Sequence, residues 1–85
     1  MKESTSYLTG YVLASTYRKK VLLALKEKAL TPNVIAEKIG VYPTHVSTTL
    51  TQLSKKNLVV CLTPKLKKGR LYEITKKGQE ILQQL

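Results

Sequence analysis

The residues best equipped for chemistry lie in two neighbouring runs. The first, Pro43 to Lys55, carries Thr44, His45, Ser47, Thr48, Thr51, Gln52 and Lys55 at positions that a helix would turn outward, with Val46, Leu50 and Leu53 on its inner side. These are short hydroxyls, an imidazole, an amide and a lysine, with no carboxylate among them. Hydroxyls and amides donate hydrogen bonds to phosphates and to base edges, and a face free of carboxylates does not repel a phosphate backbone. The second run, Lys65, Lys67, Lys68 and Arg70 around Gly69, concentrates cations that suit the same polyanion.

The whole chain carries the same bias. Its 85 residues hold 15 Lys and Arg against 5 acids, a formal net charge of +10 at pH 7, and all the acids are Glu. From Lys38 to Tyr72 there are seven basic residues and no acid. A basic surface that served solubility alone would intersperse the two signs. The long acid-free interval therefore points to a polyanionic partner.

Other chemistry finds little support. There is no Asp, no glycine-rich phosphate loop and no carboxylate pair near His45, and Ser47 has no base within its own motif. The chain is expected not to be an enzyme. A metal at His45 would lack company, since the sequence has one His and one Cys; no metal or other cofactor is expected. Cys61 falls in an apolar run and reads as a buried structural thiol. A single cysteine makes no internal disulfide, which suits a reducing compartment. No apolar run is long enough to span a bilayer, and Met1-Lys2-Glu3-Ser4 is followed by no signal-peptide core. A soluble cytoplasmic protein without a membrane partner is expected.

The elements that must position these side chains follow from periodicity and punctuation. Ser15 to Ala29 places Val21, Leu22, Leu25 and Ala29 on one helical stripe, with Ser15 as N-cap. Upstream, Tyr7, Leu8, Tyr11, Val12 and Leu13 fit either a short leading helix or an extended arm. Thr31-Pro32 starts a helix with inner residues Ile35, Ala36 and Ile39, and Gly40 ends it in a left-handed slot. Ala36 is small enough for two helices to approach at a steep angle, and Val41 plugs the turn between them. Pro43 opens the next helix and Asn57 closes it. Leu58–Leu62 and Arg70–Ile74 read as two strands of a hairpin whose loop spans about six or seven residues. Thr75 caps a last helix, 76–85, with Ile81, Leu82 and Leu85 turned inward. Tyr42 is expected to pack on the turn or touch a phosphate, and Tyr72 to pack inward or onto the outward-reading helix. The order is helix, helix, helix, strand, strand, helix: one α+β domain over 1–85, with a reading motif at 31–56, a wing at 58–74 and a C-terminal helix at 75–85.

The ordered set Ala36, Ile39-Gly40-Val41, Val46-Ser47, Leu50, Leu53, Lys56 and Leu58-Val59, with a basic hairpin behind it, resembles the winged helix-turn-helix of prokaryotic transcription regulators. It is most similar to the small archaeal members and to the multiple-antibiotic-resistance (MarR) and arsenic-repressor (ArsR) groups, over about residues 15–82. The resemblance implies helices packed against a small antiparallel β-hairpin wing, with helix 43–56 in the major groove of double-stranded DNA. The basic wing, 63–70, would lie on the backbone or in the minor groove. Arg70 would then sense groove width, while Lys65, Lys67 and Lys68 hold phosphates. Thr48 stands where many relatives carry Arg, so the guanine contact of that arginine is missing, and Asn57 stands where many carry Gly.

The function expected on these grounds is a sequence-dependent, DNA-binding transcription regulator acting as a homodimer. Dimer contacts would come from Tyr7 and Tyr11 at one end of the chain and Leu82 and Leu85 at the other, both remote from the reading motif. The residues name no small-molecule effector. Two other readings stay open: a winged helix that serves as a protein-interaction adaptor, and a non-specific architectural binder of nucleic acid. The acid-free interval weighs against the adaptor.

Overall fold

The computed structural model describes residues 4–85. Met1–Glu3, which belong to the leaderless N-terminus expected above, lie outside the described residues. The elements run α1 (Thr5–Leu13), α2 (Thr16–Ala24), α3 (Pro32–Ile39), α4 (Pro43–Lys55), β1 (Val59–Cys61), β2 (Tyr72–Ile74) and α5 (Lys76–Gln83).

Hydroxyl caps start four of the five helices among the described residues. Ser4, Ser15, Thr31 and Thr75 each accept a hydrogen bond from the backbone N–H three residues on, which satisfies a donor the helix itself cannot. The segment left open between helix and arm is helix α1, and it buries Leu8 and Val12, one turn apart. Helix α3 ends at Gly40, whose φ of 72° is left-handed. From there the N–H groups of Gly40 and Val41 both return to the Ala36 carbonyl, at 2.9 and 3.1 Å. Any residue with a Cβ would be strained at that φ. Asn57, with a φ of 60°, plays the same part after α4.

Helix α2 is shorter than its apolar stripe suggests. It stops at Ala24, so Ala29 does not lie on the helix and is only half-buried. The cause is a distant partner: Leu30 exchanges two backbone hydrogen bonds with Tyr72, at 3.0 and 2.9 Å, and must therefore be extended. The hairpin is also shorter in its strands and longer in its loop than expected. β1 and β2 pair antiparallel, Val59 with Ile74 and Cys61 with Tyr72. The ladder gains one further bond from Leu62 N–H to the Leu71 carbonyl at 2.7 Å. Cys61 is half-buried rather than buried. Helix α5 ends at Gln83, so Leu85 is not on its inward face; it lies beyond the helix and is 37 % exposed.

Helices α2, α3 and α4 pack on one another, α1 and α5 cover the back of α2, and the hairpin adjoins α4 and α5. The fully buried side chains include Leu22, Leu25, Ile35, Val46, Leu50, Leu53, Leu58 and Ile81. With Leu30 bridged to Tyr72 at the loop-side end of β2, this is a winged helix-turn-helix domain. Among the described residues, no helix is long and apolar enough to cross a membrane.

Candidate nucleic-acid interface

Helix α4 buries Val46, Thr49, Leu50 and Leu53. Thr49 can be buried because its hydroxyl donates to the His45 carbonyl at 2.8 Å. With one stripe so anchored, a rotation of about 100° per residue puts Thr44, Thr48, Thr51 and Lys55 on the opposite side. All four are exposed. Ser47 lies on the flank towards the wing, and His45 and Gln52 on the flank towards α2.

On the wing side, the structure joins what lies apart in the sequence. Ser47 and Thr51 share a hollow of about 400 Å³ with Lys67, Lys68 and Arg70, and the start of α3 adds Thr31 and Asn33. Hydroxyls and cations thus meet from three elements, with no carboxylate on the wall. Thr51 donates its hydroxyl proton to the Ser47 carbonyl at 3.1 Å, so its oxygen faces the hollow mainly as an acceptor. Arg70 donates from Nε to the Leu66 carbonyl, which closes the wing tip on itself and leaves the terminal guanidinium nitrogens for other partners. Lys65 is exposed on the preceding turn and stands outside this hollow.

On the α2 side, the flank is aromatic and tethered. The His45 ring stacks on Tyr17, with centroids 5.2 Å apart and planes at 29°. It meets Tyr42 at 6.2 Å. Tyr42, expected to pack on the turn or touch a phosphate, is 75 % exposed and borders a hollow with the turn residues Gly40 and Val41. Gln52 is half-buried and accepts a hydrogen bond from Arg18 at 3.2 Å. Tyr72 is partly buried against the core, as expected.

The residues expected at a dimer contact fall in two places. Tyr7 and Tyr11 stack on each other at 6.4 Å, and Lys56 Nζ lies 5.3 Å from both ring centroids. Since Lys56 caps α4, these tyrosines border the end of α4 rather than lying remote from the 31–56 motif as expected. Leu82 is half-buried beside Leu23, Lys26 and Gln79. Among the described residues, no group of three or more His, Cys, Asp or Glu is placed to hold a metal ion.

Three contributors were not read from the sequence. Arg18 sits in a run of three basic residues and looks like part of a solvated face. Tyr17 and Asn33 lie on other elements, and nothing in local spacing brings them to α4.

No family model matches the sequence, and no curated protein matches it. Solved structures do match the fold. HlyU from Vibrio cholerae superposes with a TM-score of 0.76 at 15 % identity, over 94 % of this chain and 86 % of that one. ZitR from Lactococcus lactis gives 0.71 at 22 % identity, over 82 % of this chain and 49 % of its own length. A homodimeric winged helix-turn-helix DNA-binding domain from Mycobacterium bovis, described as a possible ArsR-family transcriptional regulator, gives 0.70 at 22 % identity, over 94 % and 70 %. The chain thus spans about half of the ZitR chain. At these identities the likeness is one of fold.

Proposed function

We propose that this domain binds double-stranded DNA as a transcription regulator, with α4 in the major groove and the wing on the backbone or in the minor groove. One observation carries the reading: the exposed polar strip of α4 and the wing cations line one continuous acid-free surface, joined where Ser47 and Thr51 meet Lys67, Lys68 and Arg70. A phosphate chain following that surface meets hydroxyls and cations and no carboxylate. The homodimeric DNA-binding domain among the structural neighbours supports the same reading.

A homodimer would set two copies of α4 in successive major grooves, about 34 Å apart. The exposed ring of Tyr7, the half-buried Tyr11 and Leu82, and the exposed Leu85 are the contacts assigned to it. The test is selection of binding sites from random duplexes. A palindromic motif preferred by at least about a thousandfold over scrambled DNA is the expected result. Equal affinity for all duplexes would make the domain an architectural binder, and no duplex binding would leave the adaptor.

A further inference from the structure

Gln52, on the α2 flank of α4, has its side chain hydrogen-bonded to another helix. Its Oε1 accepts from Arg18 Nε at 3.2 Å. The same guanidinium donates from Nη1 to the Tyr11 carbonyl at 2.8 Å and lies 3.8 Å from the Tyr11 ring centroid. Arg18 is thus held by α1 through a hydrogen bond and a cation–π contact before it reaches α4. A guanidinium carries five N–H donors and no acceptor. An amide turned with Nε2 towards it would set donor against donor, so the orientation of Gln52 follows from chemistry. Oε1 points to Arg18, and the two N–H groups of Nε2 are left for the groove.

We infer that Arg18 turns Gln52 into a donor-only reader of base edges. A glutamine free to use both ends pairs with adenine, accepting from N6 and donating to N7. With Oε1 turned to Arg18, the amide cannot lay its oxygen and its NH₂ side by side on N6 and N7, so adenine keeps at most the N7 bond. The NH₂ group is satisfied instead by guanine O6 or N7, or by thymine O4. Arg18 itself touches no base; it is a positioning residue acting through Gln52. The inference rests on the proposed placement of α4 in the major groove.

Site selection with the wild type and with Gln52→Ala identifies the base pair that depends on Gln52. Guanine or thymine is expected there in the wild type, by about tenfold over adenine, and no preference in Gln52→Ala. Arg18→Met keeps much of the stem and removes the donors, so the released amide should admit adenine at that position. Adenine at that position in the wild type would overturn the inference, as would the absence of any Gln52-dependent position. An Arg18→Met variant that folds normally by circular dichroism yet keeps the wild-type preference would also overturn it.

A check that needs no Arg18 variant replaces the selected guanine in turn with 7-deazaguanine, which lacks N7, and with 2-aminopurine, which lacks O6, or the thymine with 5-methyl-2-pyrimidinone, which lacks O4. Wild-type affinity should fall several-fold while Gln52→Ala is indifferent; equal effects on both proteins would count against the inference. If the wild type enriches no duplex at all, the major-groove reading fails and this inference falls with it. A motif without a Gln52-dependent position removes the inference alone.

Discussion

Gly78 lies against the Leu58 backbone so closely that a Cβ on it would fall far inside contact with the Leu58 carbonyl oxygen and 2.6 Å from Ile74 Cγ1. The carbonyl cannot swing away, because it accepts the Thr75 N–H at 3.0 Å. Helix α5 would have to move as a body. Gly78→Ala should therefore lower stability by about 2–3 kcal/mol, although alanine is the better helix former. The measurement is a fall in urea midpoint at constant m-value. Gly10 in α1 is the control: a Cβ there meets nothing within 4 Å. Gly10→Ala should gain about 0.5–1 kcal/mol. Equal effects at the two sites would refute the packing assigned to α5.

Thr75 ties the end of α4 to the start of α5. Its hydroxyl accepts from Gly78 N–H at 3.0 Å and donates to the Asn57 carbonyl at 2.8 Å. Thr75→Ala removes both bonds and should cost about 1–2 kcal/mol, with Thr75→Ser restoring most of it. Thermal unfolding of the three proteins decides this, and a serine variant as weak as the alanine one would show that the methyl group matters instead.

The parts of the fold legible in the sequence are those with local causes. Thr31-Pro32 and Gly40 bracket α3 because capping and a left-handed φ act within a few residues. The outward residues of α4 follow from Val46, Leu50 and Leu53, since one buried stripe fixes the opposite one. The end of α2 was not legible, because Leu30 is made extended by Tyr72, a partner far along the chain. Arg18 and Gln52 are 34 residues apart, and among Lys19 and Lys20 nothing marks Arg18 as the one that turns inward. The strip of donors could be read; the hollow it shares with the wing needed the third dimension.

Arg70 separates charge from shape at the wing. Its Nε is committed to the Leu66 carbonyl. Lysine offers a point charge and no planar fork, so Arg70→Lys keeps the electrostatics and loses the brace. DNA affinity should fall about fivefold in Arg70→Lys, by roughly 1 kcal/mol, with the salt slope unchanged. Arg70→Ala should lower both affinity and slope. A lysine variant that binds as well as the wild type would reduce Arg70 to a simple cation.

The division of labour between α4 and the wing can be read from salt. About six cations engaged with phosphates predict a slope of log affinity on log salt near −5, or roughly a thousandfold loss between ~50 and ~200 mM. Lys67, Lys68 and Arg70 border the hollow with Ser47, whereas Thr48 lies on the opposite-to-core strip and outside that hollow. Lys68→Ala should therefore weaken all duplexes alike and make the slope shallower by about one. Thr48→Ala should leave the slope untouched and relax preference at a single base pair. Fluorescence anisotropy titrations at four or five salt concentrations, with selected and scrambled duplexes, separate the two effects. Identical behaviour of the variants would collapse the distinction between reader and clamp, and a slope near zero would remove the phosphate backbone as the partner of this surface.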